Sequence, residues 1–140
     1  MNQEELAQRL REHEGLTVEQ RQHILEMASS SPARKPGKGA LNNVVTHFNS
    51  VKCGQLITLE SHTVEHMFAL TLELDPDVLG YFPQVACKGV RLGNHVRSGT
   101  LDFLVVRTRG VELVECKAGS ARDSLLAAKS GEWVDVDGNL

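Results

Sequence analysis

The chain has 140 residues, of which 41% are hydrophobic and 24% charged, a composition typical of a globular protein with one packed core. No apolar run is long enough to cross a membrane, and the N-terminus lacks the order of a signal peptide. The net charge of −3 does not by itself indicate a nucleic-acid binder. Three cysteines without a Cys-x-x-Cys spacing argue against a disulfide framework, so we expect a cytoplasmic protein that does not associate with a membrane.

Two short helices are predicted at the N-terminus. Leu6 and Leu10 give the first helix an apolar face, because residues four apart lie on the same side of a helix. Thr17 is expected to cap the second helix, and Gln20, three residues later, completes the pattern of a capping box. Since few of their other residues are apolar, we expect the helices to form an N-terminal extension over residues 1–30.

Residues 31–140 are predicted to form one domain of the α/β class. The expected order is a basic linker, two short strands, a helix, a strand, a hairpin, a helix over residues 121–129 and a further strand over residues 133–136. Such an order is typical of a central mixed β-sheet flanked by helices. Asp137-Gly138 is a hairpin-turn dipeptide with only Asn139 and Leu140 after it, so we expect the chain to be the N-terminal piece of a longer protein.

The helix before the hairpin is predicted to end at Asp75-Pro76, since a residue that precedes proline disfavours helical backbone. Its expected buried stripe consists of Val64, Met67, Phe68 and Leu72. Glu65 lies next to this stripe, so its carboxylate is expected to point toward the sheet. The alternative is a glutamate that extends past the rim of the helix into water.

A β-hairpin is predicted between Gly99 and Lys117, where two runs rich in Val and Leu flank a short polar turn that ends in Gly110. The register set by this turn places Asp102 opposite Glu115. Two facing carboxylates repel each other, and a divalent cation such as Mg²⁺ turns this repulsion into attraction. Lys117 shares a strand face with Glu115 and is placed to orient a metal-bound water. An ordinary solvated Glu–Lys pair is the alternative.

Basic side chains lie in two segments without any acidic residue, over residues 27–59 and 78–101. A basic segment beside a carboxylate cluster suits a phosphate backbone. The residues expected to contact DNA on this basis are Arg34, Lys35, Lys38, Lys52, Lys88, Arg91 and Arg97. Scattered solvated charge is the alternative interpretation.

The order of the acidic residues and the lysine resembles the active site of PD-(D/E)xK nucleases, which combine a Glu, an Asp and a Glu-x-Lys. Further stretches narrow the resemblance, namely residues 56–61, 74–84, 100–105 and 114–117. Together they are similar to the N-terminal endonuclease domain of TnsA-type transposase subunits, over residues 31–136. Leu101 stands where the superfamily often has proline, and Pro83-Gln84-Val85 replaces a Glu-Gln-Pro that is common in these relatives.

The resemblance implies a restriction-endonuclease-like core and a Mg²⁺-dependent DNA endonuclease, with Mn²⁺ able to substitute. In that family the subunit cuts the 5′ ends of a mobile element while a partner transposase cuts the 3′ ends. The resemblance further implies that Glu65, Asp102 and Glu115 hold the metal and that Lys117 positions the attacking water. Two alternatives are a stand-alone nuclease of restriction or repair type, and a nuclease-fold module that docks a partner transposase without cutting.

Overall fold

The computed structural model describes residues 1–33, 45–60, 64–92, 95–116 and 125–127. The helices and strands of these residues are α1 (Gln3–Glu12), α2 (Val18–Ser29), β1 (Val45–Ser50), β2 (Gln55–Glu60), α3 (Val64–Leu74), β3 (Val78–Leu92), β4 (His95–Arg107), β5 (Gly110–Cys116) and β6 (Leu125–Ala127). The strands form two antiparallel sheets, β1–β2 and β3–β4–β5–β6. The described residues therefore have a mixed α/β architecture. The α/β class is confirmed, and a mixed sheet stays a prediction.

Helices α1 and α2 both begin at side chains that satisfy free backbone N–H groups. The Asn2 side chain accepts a hydrogen bond from the N–H of Glu5 at 2.8 Å. Thr17 and Gln20 form the predicted capping box, with hydrogen bonds of 3.1 and 2.9 Å between each side chain and the other's backbone N–H. These caps fix where each helix starts, so the start of α2 is confirmed as the sequence predicts.

The two N-terminal helices pack on one face of the four-stranded sheet. Leu6, Leu10 and Ile24 from the helices are fully or almost fully buried. Their cluster also contains buried sheet residues, namely Phe82, Val85, Cys87, Leu101, Leu104, Val106, Val111 and Leu113. The helices thus share a hydrophobic core with the sheet. A domain boundary after residue 30 stays a prediction.

Helix α3 and the β1–β2 hairpin cover the opposite face of the sheet. The second core cluster consists of Cys53, Ile57, Leu59, Ala69, Leu72, Val78, Tyr81, Phe103, Val105 and Val114. The side of α3 that faces the sheet follows the helical spacing of Glu65, Phe68, Ala69 and Leu72. The prediction that Met67 is buried is wrong, because this rotation of the helix leaves Met67 65% exposed.

Glu73 joins the end of α3 to the turn between β1 and β2. Its Oε2 accepts hydrogen bonds from Ser50 Oγ at 2.6 Å and from the Tyr81 hydroxyl at 2.7 Å. Its Oε1 accepts from the backbone N–H groups of Val51 at 2.9 Å and of Lys52 at 3.3 Å. Desolvation acts to raise the pKa of Glu73, but these hydrogen bonds outweigh it and hold the pKa below its ordinary value.

The helix predicted over residues 121–129 is wrong at Leu125–Ala127, which form strand β6. This strand pairs antiparallel with β5, Val114 opposite Ala127 and Cys116 opposite Leu125. A short apolar run such as Leu-Leu-Ala is compatible with either a helix or a strand. The open edge of β5 decides between them, because its backbone groups need hydrogen-bond partners.

Replacing Leu6 by Ala is expected to lower the free energy of unfolding by about 2–5 kcal/mol, because a fully buried side chain leaves a cavity between α1 and the sheet. Val18→Ala is the matched control at a position 77% exposed, with an expected change below about 0.5 kcal/mol. Urea denaturation followed by circular dichroism measures both. An unchanged transition in Leu6→Ala would contradict a core shared between the helices and the sheet.

Glu73→Gln is expected to lower the free energy of unfolding at pH 7 by about 1–3 kcal/mol, since Ser50 and Tyr81 lose a charged acceptor. The pKa of Glu73 is lower in the folded chain than its ordinary value of 4.5. Its carboxylate therefore stabilises the fold above that value, and the contribution is lost as the pH falls through the folded-state pKa.

The difference between wild type and Glu73→Gln should accordingly narrow from pH 7 to pH 3 in denaturant titrations. Glu14→Gln, at an exposed position, is the control and should follow the wild type at both pH values. A difference between wild type and Glu73→Gln that stays constant with pH would show that the charge of Glu73 plays no part.

Candidate functional site

Strands β4 and β5 form the predicted hairpin in the predicted register. Their paired residues run from Phe103 opposite Val114 to Arg107 opposite Gly110. Asp102 and Glu115 are the next residues along each strand in this register. The prediction of the hairpin and of its register is confirmed, and the backbone ladder between β4 and β5 ends just before the two acidic residues.

Asp102 is a buried carboxylate, only 8% exposed, whose two oxygens have different partners. Its Oδ2 accepts a hydrogen bond from the backbone N–H of Cys116 at 2.6 Å, so the side chain extends the pairing of β4 with β5 beyond the last backbone pair. Its Oδ1 lies 3.5 Å from Nε2 of Gln84. One oxygen is therefore fixed by the hairpin, and the other faces strand β3.

Gln84 lies opposite Asp102 in the sheet. The flanking pairs are Pro83 with Phe103 and Val85 with Leu101, so the register between β3 and β4 continues across this position. The backbone of Gln84 has a φ of 54°, in the left-handed region that residues other than glycine rarely adopt. Gln84 is therefore an irregular position inside a continuous part of the β3–β4 ladder, which has register shifts only further along, between Val78 and Gly80 and between Cys87 and Val90.

Side chains along β3 and β4 normally point alternately to the two faces of the sheet, and this alternation is interrupted at Gln84 and Asp102. Phe82 and Val85 are three residues apart, yet both lie in the core cluster with α1 and α2. Leu101 and Leu104 show the same odd spacing in β4 and belong to the same cluster. In a regular strand, residues three apart point to opposite faces. The shift lets the polar side chains between them face α3 while the apolar neighbours stay in the core.

The Gln84 amide brings a carboxylate of α3 together with the carboxylate of β4. Its Nε2 donates to Glu65 Oε2 at 3.1 Å and to Asp102 Oδ1 at 3.5 Å, the outer limit of a hydrogen bond. Only the NH₂ group of an amide can donate, so these contacts fix which way the amide points. Its Oε1 is buried and has no hydrogen-bond partner among the residues that the structure describes.

The pKa of the Cys116 thiol is influenced by all three acidic residues that the sequence singles out. Burial raises its pKa to about 12, and the negative charges of Asp102, Glu65 and Glu115 act in the same direction. Asp102 and Glu65 therefore lie near the Cys116 thiol, whereas the effect of Glu115 follows from its being the preceding residue. Val114 and Cys116 pack toward the α3 side of the sheet, so strand alternation places Glu115 on the other face.

Of the three predicted metal ligands, two are brought together by the structure and the third is not. Glu65 and Asp102 share one amide, whereas Glu115 is half-buried and follows the buried Val114 on β5. Within the described ranges, no three His, Cys, Asp or Glu side chains form a group that could hold a metal ion. Lys117 lies outside the described residues. Its predicted role, and the ligand role of Glu115, stay predictions.

The chemistry of the described donors fits Mg²⁺ or Mn²⁺. Hard divalent cations prefer oxygen ligands, and Mg²⁺ commonly takes one or two protein carboxylates and completes its shell with water and substrate phosphate. Glu65 and Asp102 supply two carboxylates on the same side of the sheet. The buried Oε1 of Gln84 is a further potential oxygen ligand, on the amide whose Nε2 contacts both carboxylates.

Open space lies beside Gln84, the residue that contacts both carboxylates. A cavity of about 460 Å³ separates the β1–β2 hairpin from β3, and Gln84 forms part of its wall. The other lining residues are Pro32, His47, Gln55, Leu56, Ile57, Thr58 and Pro83. His47 Nδ1 and Thr58 Oγ1 are 2.8 Å apart on its hairpin side. Gln84 therefore contacts both Glu65 and Asp102 and also borders this cavity.

The predicted DNA contacts are spread over several elements. Lys88 is exposed on β3, and Arg91 and Arg97 lie near the end of β3 and the start of β4. Lys52 Nζ donates to the carbonyl oxygens of Leu72, at 2.7 Å, and of Asp75, at the C-terminal end of α3. There it balances the negative end of the helix dipole. Arg34, Lys35 and Lys38 lie outside the described residues.

Sequence reasoning did not assign a role to Gln84. The signal was a single polar residue in the otherwise apolar run from Tyr81 to Cys87, directly after Pro83. Proline lacks an N–H group and disrupts regular strand pairing, so it marks a place where a strand is irregular. A polar residue next to it was a candidate for a buried, functional side chain.

Comparisons with known proteins assign no family to the chain. It matches no model of a known protein family, and no curated protein sequence is similar enough to count as a relative. In the described part of the chain, no helix is long and apolar enough to cross a membrane. Cys53, Cys87 and Cys116 are free thiols.

Asp102→Asn is expected to lower the pKa of the Cys116 thiol, because a nearby negative charge is removed while the shape of the side chain is kept. Since the thiolate is the reactive form, alkylation of Cys116 at pH 9 should become roughly two- to tenfold faster. Peptide mass spectrometry after timed iodoacetamide treatment distinguishes the three cysteines. Glu14→Gln is the control, and an equal Cys116 rate in Asp102→Asn would contradict the placement of the carboxylate.

Proposed function

We propose that this chain contains a Mg²⁺-dependent DNA endonuclease domain of the TnsA type, with a restriction-endonuclease-like core. The observation that carries the proposal is the meeting of Glu65 from α3 and Asp102 from β4 at one buried amide. Beside them begins the Glu115-x-Lys117 stretch of the hairpin partner. A helix Glu, a strand Asp and a Glu-x-Lys on the next strand is the set of groups that such nucleases use.

The order of the elements around the site supports the proposed fold. Helix α3 packs on the sheet made by the three strands that follow it, and β3, β4 and β5 form an antiparallel meander. The helix carboxylate faces the sheet because Glu65 begins the same helical stripe as Ala69 and Leu72, both buried. Fold and site are thus consistent with the resemblance seen in the sequence.

Each side chain has a role in phosphodiester hydrolysis under this proposal. Glu65 and Asp102, which share the Gln84 amide, would hold the divalent cation, and the resemblance adds Glu115 from the next strand. The cation would supply a water of lowered pKa and neutralise charge on the phosphate. The hydrogen bond from Cys116 N–H keeps Asp102 in place, because it fixes one carboxylate oxygen and leaves the other for binding. Lys117 orients the attacking water by donating from its ammonium group.

The proposed substrate is DNA at the ends of a mobile element, and the proposed partner is a transposase subunit in the same cytoplasmic complex. The exposed Lys88 and the arginines Arg91 and Arg97 lie along the β3–β4 hairpin, where they provide positive charge for a phosphate backbone. The overall charge of −3 opposes DNA binding. The partner therefore contributes much of the affinity for DNA.

A nuclease-fold module that docks a transposase without cutting is the second candidate. The exposed side of α3 carries apolar residues at helical spacing, with Met67, Leu70 and Leu74 exposed by 65%, 39% and 84%. Such a stripe is typical of a helix that contacts another protein. Docking alone, however, gives no reason for a buried carboxylate pair.

Asp102→Asn and Lys117→Ala are each expected to lower DNA nicking by at least about a hundredfold, because one removes a metal ligand and the other a donor at the reacting phosphate. The assay follows relaxation of supercoiled plasmid by the purified chain with Mg²⁺ or Mn²⁺. Glu14→Gln, distant from the site, is the control and should retain wild-type activity.

Circular dichroism establishes that each variant is folded before its activity is compared. Full nicking activity in either site variant would refute the assignment of the active site. A folded wild type that nicks no DNA with either ion favours the docking module.

A further inference from the structure

Gln84 combines two features that oppose folding. Its backbone lies in the left-handed region at a φ of 54°, and its side chain is 98% buried with one amide oxygen lacking a described partner. Strained backbone and unpaired buried polar atoms both destabilise a protein, and such outliers concentrate at functional sites. The residue is therefore a candidate for a role beyond packing.

We propose that the Gln84 side chain is a two-way ligand of the carboxylate pair, its NH₂ group holding Glu65 and Asp102 in the metal-free protein and its carbonyl oxygen contacting a bound divalent cation. This inference rests on the metal centre of the proposed function. It adds a neutral ligand to the carboxylates of Glu65 and Asp102, and it explains why the buried Gln84 Oε1 has no hydrogen-bond partner among the described residues. The amide occupies the space between the carboxylates that a cation would otherwise fill.

An amide is chemically suited to both states. Its NH₂ group offers two donors, one for each carboxylate, and its oxygen is a hard ligand of the kind that Mg²⁺ accepts. The terminal torsion of a glutamine side chain has broad, roughly two-fold preferences, so the group can turn over without moving the backbone. Asp102 Oδ2 remains bonded to Cys116 N–H, and only Oδ1 changes its partner.

Other side chains would serve only one of the two states. A glutamate at position 84 would repel Glu65 and Asp102 until a cation arrives. A methionine of similar length would neither hold the carboxylates nor bind the cation. An asparagine keeps the amide and tolerates left-handed backbone, but it is one methylene shorter and withdraws both amide atoms from the pair. Gln84→Glu therefore tests the effect of charge, Gln84→Met the need for an amide, and Gln84→Asn the need for the full side-chain length.

The test measures Mn²⁺ affinity by isothermal titration calorimetry and thermal melting with and without Mn²⁺, on the purified chain. Gln84→Met and Gln84→Asn are expected to bind Mn²⁺ at least about tenfold more weakly than wild type, in the range seen when groups supporting a metal site are removed. Gln84→Glu should melt lower than wild type without metal and show a larger rise in melting temperature with saturating Mn²⁺.

Wild-type Mn²⁺ affinity in both Gln84→Met and Gln84→Asn would overturn the inference, as would a wild type that binds no Mn²⁺. If Gln84→Met does not fold, the folded Gln84→Asn variant decides. Dependence of Mn²⁺ binding on Gln84 without any nicking activity supports the inference while removing the nuclease proposal. If the chain nicks DNA but the Gln84 replacements leave its Mn²⁺ affinity unchanged, the nuclease proposal is supported and the inference about Gln84 is overturned.

Discussion

The site depends on how the sheet buries the charge of Asp102. A carboxylate between two hydrophobic clusters is strongly unfavourable unless hydrogen bonds replace its lost water. Here the Cys116 N–H takes one oxygen and the Gln84 amide takes the other. Both partners exist because the strand alternation shifts at Gln84, which turns the side chains of this position toward α3 while the residues on either side remain in the core. The irregular backbone at Gln84 and the close approach of Glu65 and Asp102 therefore depend on each other.

Helix α3 is positioned by carboxylates at its two ends. Glu73 near the C-terminal end receives four hydrogen bonds from the β1–β2 turn and from Tyr81, which fix the helix on the sheet. Glu65 near the N-terminal end reaches the Gln84 amide. The two residues are about two helical turns apart, so they lie on the same side. Because the hydrogen bonds of Glu73 fix the rotation of the helix, they also determine where the Glu65 carboxylate points.

Local rules predicted the capping box at Thr17 and the hairpin register that brings Asp102 next to Glu115, since both depend on residues close in the chain. The sequence did not predict strand β6, because an apolar Leu-Leu-Ala run takes its conformation from the edge of β5. The burial of Met67 was predicted wrongly because the rotation of α3 is determined by Glu73, Ala69 and Leu72 together. Gln84 was missed because its importance arises from partners on two other elements, which no local pattern encodes.

The contrast between Glu73 and the Glu65–Asp102 pair favours a cation site over a docking module. Where this fold needs a carboxylate for structure, it surrounds that carboxylate with donors, as at Glu73. Glu65 and Asp102 are instead brought together by the NH₂ group of one strained, buried glutamine, and Asp102 also accepts the Cys116 N–H at 2.6 Å. A docking surface on α3 gains nothing from this arrangement, whereas the proposed divalent cation would relieve the repulsion between the carboxylates and would engage the amide oxygen.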